Sequence, residues 1–440
     1  ANAISQVSSE ELTGTTVQST VDGAMYGKVA GANLSANGGS PGGGMSVKLR
    51  GINSISGSGQ PLYVVDGVPY DGSINAINPN DIESTTILKD ATATAIYGSR
   101  GANGVILITT KAGTTGQSVI EADVKRGVNM SLIPRYSTIK SPEQYIGLCW
   151  EAMYNKGVAL GSASPETYAN DNLFGASGID PKYNLWNATG GNLIDPATRT
   201  VRNGVTRKYN PENWEDFGFQ NSSRTEANLS FRGGSEKMKY YTSFGYLDDI
   251  GYIINSNFKR YSVNMNLQNI IRSWLTTNMK LNFAGTETNN NGQSSDSGSI
   301  FWFVDNLPSI FPLYLRDSSG NMVPDPIFGG NQYDYGVGRE FGALTNPIAD
   351  AHYDKSNTKR YQGTGNFSAN IKFTESLRLE NTIGGQFSSG KYISLNNPFY
   401  GSAASQGGYV YRSDTQVSSY NVLNLLRFKK TFSNHNLEAL

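Results

Sequence analysis

From residue 113 onward the chain repeats one pattern, an apolar side chain followed by a polar one, over stretches of about ten residues. Ile120, Ala122 and Val124 share one face and Glu121, Asp123 and Lys125 the other. Ala227, Leu229 and Phe231 alternate with Asn228, Ser230 and Arg232, and Tyr240, Phe244 and Tyr246 oppose Lys239 and Ser243. Tyr261, Val263, Met265 and Leu267 alternate with Arg260, Asn264 and Asn266, and Met279, Leu281 and Phe283 oppose Asn278, Lys280 and Asn282. The alternation returns over 361–373, 377–387 and, more weakly, 420–428, where Leu423 and Leu425 sit on the second face; another segment begins at Asn436. Period two over this length predicts long strands with one apolar face, whereas sandwich strands run to about five or six residues. Short connectors (233–237, 269–274, 374–376, 429–435) alternate with long ones (129–224, 285–359, 389–415) and one intermediate (248–257). That sorting is the asymmetry of an outer-membrane barrel, with short turns on one side and long extracellular loops on the other.

Charge placement agrees with it. Arg260, Lys280, Lys372, Arg378 and Arg427 all fall on polar faces, where a cation avoids the roughly 2–4 kcal/mol it costs against lipid at the midplane. Arg126 is the exception, on the face of Ala122 and Val124, and is read as lying at the end of the apolar band. Tyr240, Tyr246, Tyr261, Tyr361 and Phe387 lie near strand ends, where an aromatic girdle belongs. The pattern predicts that Met265→Arg blocks assembly while Asn264→Arg is accepted. An open sheet would leave bare edges in lipid, so the sequence is expected to be part of a longer barrel.

The first quarter reads differently. Residues 62–65 form a short apolar strand ended by the turn pair Asp66-Gly67, and Asn78-Pro79 is a cap and first residue of a helical turn. Residues 85–88 are a second strand, Asp90 caps a short helix over 91–97, and Gly98 closes it in the left-handed conformation. Asn103-Gly104 turns the chain into a strand over 105–110, giving a small βαβ element. The run of glycines over 38–44 lacks the lysine and helix of a phosphate loop and is read as a turn before a strand from Met45.

Composition removes several classes. Lysine plus arginine and aspartate plus glutamate are 36 each, with no basic stripe, which argues against a nucleic-acid partner. No apolar run approaches about 18 residues, so no membrane-spanning helix is expected, a test that leaves a β-barrel untouched. Cys149 is alone and cannot pair internally, and the opening ANAISQVSSEEL carries no visible signal peptide and reads as an internal start. His352 and His435 lie in unrelated segments, so neither a metal site, a cofactor site nor a catalytic constellation is expected. Asp317 to Asn321 (DSSGN) lacks the terminal glutamate of a calcium loop and is read as a solvated turn.

PLYVVDGVP, NPNDIES and ILKDATATAIYGSRGANGVILITTK occur in order within residues 61–111. Together they resemble the plug signature of SusC/RagA-type TonB-dependent outer-membrane transporters, with Asp66, Gly67, Asp90, Tyr97, Gly98, Asn103 and Gly104 as its structural positions. The resemblance implies a mainly β fold: a mixed α/β plug over 1–112, then, over 113–440, the first strands of a partial, large, plugged transmembrane β-barrel of about 22 strands. It also implies energised import of an oligosaccharide or a peptide across the outer membrane of a Gram-negative cell. Loops would face outward and the plug inward. The implied partners are a SusD-like surface lipoprotein and TonB, acting through a segment upstream of the plug. A non-transporting adhesion barrel is the alternative, and a secreted sandwich enzyme a third class. Substrate-facing candidates are Asn53, Ser54, Tyr70 and Asp71 in plug loops, with Trp302, Phe303, Tyr333 and Tyr335 in the second long loop. A helix over 142–156 in the first long loop is expected to present Tyr145, Leu148, Cys149 and Met153 on one face.

Overall fold

The computed structural model describes residues 4–13, 20–36, 39–49, 59–89, 95–130, 137–291, 298–432 and 435–439. In the N-terminal region the strands are β1 (Ile4–Ser8), β2 (Ala32–Ala36), β3 (Met45–Leu49), β4 (Leu62–Val65), β5 (Val68–Tyr70), β6 (Ile82–Leu88) and β7 (Val105–Thr110). Five of them form one sheet in the order β1-β6-β7-β4-β5, with β2 and β3 paired beside it. Apolar side chains that alternate poorly in sequence are buried on both sides of this sheet. Val65, Ile77, Ile82, Ile87, Ile106 and Ile108 close one cluster with Leu12, Val21 and Met25, while Leu62, Val64, Leu88 and Val105 form another.

The turn pair Asp66-Gly67 has φ of 50° and 87° and joins β4 to β5 as a two-residue hairpin. The Asn78 side chain accepts from the Asn80 amide at 3.1 Å, with Pro79 opening the turn behind it. Two expectations are corrected. β6 and β7 run antiparallel, because the connector between them returns to the end it left and sets Leu88 opposite Val105. The parallel partner of β7 is β4, from earlier in the chain. Gly98 has φ 57° but ψ −147°, so it does not close a helix in the left-handed well; it lies within a kinked 3-10 segment, Ala95–Gly101. Asp90 and residues 91–94, the expected cap and body of that helix, lie outside the described residues.

The remaining strands are β8 (Gly116–Gly127), β9 (Ile194–Asp195), β10 (Thr200–Val201), β11 (Ser223–Gly234), β12 (Met238–Ile250), β13 (Ser256–Arg272), β14 (Leu275–Asn290), β15 (Lys355–Lys372), β16 (Leu377–Asn396), β17 (Tyr409–Phe432) and β18 (His435–Ala439). Apart from the small β9–β10 pair, they form an antiparallel meander of nine strands, in the order β18-β17-β16-β15-β14-β13-β12-β11-β8. Alternation put the apolar faces in the right register. Tyr261, Val263 and Met265 point away from the plug and stay exposed, whereas Arg260, Ser262, Asn264 and Asn266 on the opposite face are buried.

Strands outrun their apolar bands. β16 continues to Asn396 and β17 starts at Tyr409, so the loop expected over 389–415 shrinks to 397–408, and that expected over 285–359 shrinks to 291–354. The hydrogen-bond ladder continues where the alternation is lost: the ends of β14 and β15 are polar on both faces, while Tyr392, Ile393, Val410 and Tyr411 put apolar groups on both faces of β16 and β17, and a period-two pattern cannot register the strand there.

Candidate functional site

The polar faces of the large sheet meet the plug, and every strand from β11 to β16 reaches it. On β11, Asn228 Oδ1 accepts from Asn78 at 2.7 Å and Glu226 Oε1 from Asn80 at 2.6 Å. On β12, the Tyr241 hydroxyl donates to Asp81 at 3.1 Å, and Ser243 donates to the same oxygen. Arg260 of β13 donates to the carbonyls of Asn75 and Ile77 at 3.1 and 3.2 Å, and Asn266 to that of Lys111 at 3.3 Å. Lys280 of β14 pairs with Asp66 at 2.6 Å. On β15, Gln362 Oε1 accepts from the Tyr70 hydroxyl and the Ser73 amide, and Asn366 donates to the Asp66 carbonyl at 2.7 Å. Gln386 of β16 accepts from the Asp71 amide at 2.8 Å and donates to its carboxylate at 2.7 Å.

Asp66 is the knot of this seam. Besides Lys280, its carboxylate accepts from the Thr110 amide and hydroxyl, so one residue ties the hairpin to β7 and to the wall. Where the wall passes closest to the plug it carries no side chain. A Cβ on Gly384 would lie 2.7 Å from Val68, and one on Gly245 2.5 Å from Asn78.

The long loops build a second body with its own core. Its main helix is Pro142–Ala159, capped by Ser141, which accepts from the Gln144 amide. The helix buries Ile146 and Trp150 with Cys149 and Met153 beside them; Leu148, expected on that face, is exposed. The loop between β8 and β11 packs on the loop between β14 and β15. Trp214 donates to the Phe311 carbonyl at 3.1 Å, and Arg316 pairs with Glu212 inside the contact. Arg339 is buried among the rings of Trp214, Phe303 and Phe311 and donates to three carbonyls, those of Phe341, Gly342 and Thr345. The loop after β16 joins through Tyr400, whose hydroxyl donates to Asp325 at 2.7 Å. Burial pushes the Asp350 carboxyl up to about 7, helped by the nearby charge of Asp354 and opposed by a hydrogen bond from Tyr335. A cleft of ≈ 340 Å³ lies between the loops and the ends of β15 and β16, lined by Asp350, Asp354, Lys355, Tyr392, Asn397 and Tyr400.

The structure scatters the expected substrate-facing residues. Tyr70 is buried against Gln362, and Asp71 is half-exposed but held by Gln386 and Arg100. Phe303 and Tyr335, 1% and 6% exposed, are packing residues of the loop core, and only Trp302 and Tyr333 sit partly open at its margin. Asn53 and Ser54 lie outside the described residues. Sequence reasoning missed the acidic pair Asp350 and Asp354, one in a short helix and the other at its C-cap; their spacing of four was the available signal. Asp317 takes the amides of Ser319 and Asn321 at 2.9 Å and closes its own turn, as read from the sequence.

A plug with its own apolar core, seated on the polar face of a sheet whose apolar face points outward, defines a plugged outer-membrane barrel. Residues 1–105 match the family model described as TonB-dependent Receptor Plug Domain. The chain is 27% identical over 414 residues to the TonB-dependent receptor SusC of Bacteroides thetaiotaomicron, covering 90% of this chain and 36% of that protein. It is 29% identical to TonB-dependent receptor P26 of Formosa agariphila, covering 100% of this chain and 39% of that one. Among solved structures, the RagAB peptide importer in its closed-closed state superposes with a TM-score of 0.71 at 25% identity, over 99% of this chain and 46% of that one. The chain thus spans under two fifths of these curated relatives. Its first 105 residues are a TonB-dependent receptor plug domain, and the chain as a whole resembles the SusC/RagA-type TonB-dependent receptors.

Proposed function

We propose that the chain supplies the plug, over 1–112, and the adjoining barrel wall, over 113–440, of an importer that takes up a nutrient through energy delivered by TonB. The reading rests above all on the seam. A plug stabilised by its own apolar core and held to the wall largely by exchangeable polar contacts can be shifted without unfolding the barrel, since water replaces such hydrogen bonds at small net cost. In this reading the long loops face outward and the plug sits towards the periplasm. A SusD-like lipoprotein covers the loops, and the cargo is an oligosaccharide or a peptide; the RagAB relative is described as a peptide importer. Asn53, Ser54, Asp71, Trp302 and Tyr333 stay as substrate-facing candidates, while Tyr70, Phe303 and Tyr335 leave that set because their side chains are consumed in packing.

The test is uptake of labelled oligosaccharide and peptide mixtures by cells carrying the full-length protein, with and without TonB. Uptake that vanishes without TonB supports import. Uptake that persists unchanged turns the protein into a passive or purely adhesive barrel.

A further inference from the structure

The one cation that sequence analysis found on the apolar face, Arg126, is part of a larger arrangement. Arg126 of β8 pairs in register with Thr225 of β11, which pairs with Asp248 of β12. The row continues through Lys259, Glu287, Lys359, Lys391 and Asp414, one residue from each of β13 to β17. Because side chains alternate strictly and these stretches carry no bulge, all of them lie on the outward face, with the exposed rings. On β12 to β16 the charge follows the last ring on the way to the longer loop: Tyr246 then Asp248, Tyr261 then Lys259, Phe283 then Glu287, Tyr361 then Lys359, and Phe387 then Lys391. Rings of this kind sit at the headgroup boundary, so the charges beyond them sit among headgroups.

Their balance is not neutral. At the long-loop end of β13–β17 this face carries Lys259, Lys355, Lys359, Lys391 and Arg412 against Glu287 and Asp414. Lys259 is met by Asp248 at 3.5 Å, Lys359 by Glu287 at 3.3 Å and Arg412 by Asp414 at 3.2 Å. Lys355 and Lys391 are exposed and form no ion pair among the described residues. Protein-internal pairing therefore accounts for the carboxylates and leaves cations over, directed at the bilayer surface.

We infer that the outward face of β13–β17 beyond the tyrosines is a docking surface for the phosphate groups of an anionic outer-leaflet lipid, with Lys355 and Lys391 as its principal contacts. The inference rests on the orientation proposed above, with the long loops outside. Attraction of this kind is electrostatic and falls with salt.

The test uses the full-length protein extracted from its own membrane in mild detergent, with bound phosphorylated glycolipid and phospholipid counted per chain by mass spectrometry. The double variant Lys355→Gln, Lys391→Gln is expected to retain at least threefold less phosphorylated lipid. Lys156→Gln, on the exposed side of the loop helix, should retain the wild-type amount. Equal retention in the double variant, or equal loss in the control, overturns the proposal. Should the double variant fail to reach the membrane, wild-type protein washed in rising sodium chloride decides the question: bound lipid that does not fall with salt overturns the docking surface. Protease cleavage of the loops on intact cells is read in parallel. Loops closed to external protease would refute the orientation, whereas accessible loops with unchanged lipid refute the docking surface alone.

Discussion

The plug and the large sheet are built by opposite rules. In the plug, Val65, Ile87, Ile106 and Ile108 are buried together and the polar residues Asp66, Asn78, Asn80 and Asp81 face outward to the wall. In the sheet, Val263, Met265, Leu281 and Phe367 stay exposed and Arg260, Asn264 and Gln362 are buried. One body is organised for water, the other for hydrocarbon outside and a wet lumen within. Their meeting surface is therefore polar on both sides. A seam of that kind holds position through geometry and hydrogen bonds, with little apolar area to lose on separation.

The comparison breaks most sharply on the lipid face. Met265→Arg is expected to cost roughly 2–4 kcal/mol against hydrocarbon and to remove the protein from the outer-membrane fraction. Leu423→Arg places the same charge at an apolar residue on the opposite, inward face, opposite Thr382 and 48% exposed, and should assemble normally. If Leu423→Arg fails as badly as Met265→Arg, hydrophobicity rather than facing decides, and the inside-out account is wrong. The expectation from alternation alone, that Asn264→Arg is accepted, does not survive the structure. Asn264 is 1% exposed beneath the plug, and an arginine has no room there.

Next in size is the seam. Lys280→Met leaves the buried Asp66 carboxylate with Thr110 alone, which should loosen the hairpin by about 1–3 kcal/mol. Faster amide exchange in β4–β5, with β13–β15 unchanged, is the expected result. Exchange that rises equally in both bodies would mean that they unfold as one. Smaller again is Ile106→Val in the plug core, expected to cost about 1 kcal/mol. That loss should appear as faster exchange in β6 and β7, with the barrel strands unmoved.

How much of this was legible follows from where the two solvents differ. Strands were readable wherever one face meets lipid and the other water, because the pattern then has period two by necessity. Past residue 388 in β16 and before 416 in β17 that difference disappears, and the ladder ran on unseen. The sheet order of the plug was hidden for another reason: β4 and β7 carry apolar residues on both faces, and β6 mixes Ile82, Ile87 and Leu88 with Glu83, Ser84, Thr85 and Thr86, so their sequences carry no clean facing signal. Among the loop aromatics, composition could not separate the packed Phe303 and Tyr335 from the half-open Trp302 and Tyr333, since all four sit in similar polar company. The seam residues Gln362 and Gln386 were visible only as polar positions. Uncharged amides on an inward face are the signal that points to a partner surface.

The last effect is confined to the loop body, which is built on the same rule as the plug and also carries a carboxyl in its interior. Asp350 has its carboxyl raised to about 7, first by burial and then by the Asp354 charge. A free carboxyl titrates near 4. The folded loops therefore hold a proton that the unfolded chain gives up, and their stability is fully present below about pH 4 and declines as pH rises towards 7. Amide exchange in the helix Pro347–Tyr353 should accordingly quicken between pH 4 and 7 beyond the intrinsic rate. Asp350→Asn keeps an acceptor for the Tyr335 hydroxyl, removes the titration and should flatten that profile, leaving plug and barrel exchange as they were. A profile that stays steep in the Asn variant would place the proton elsewhere than Asp350.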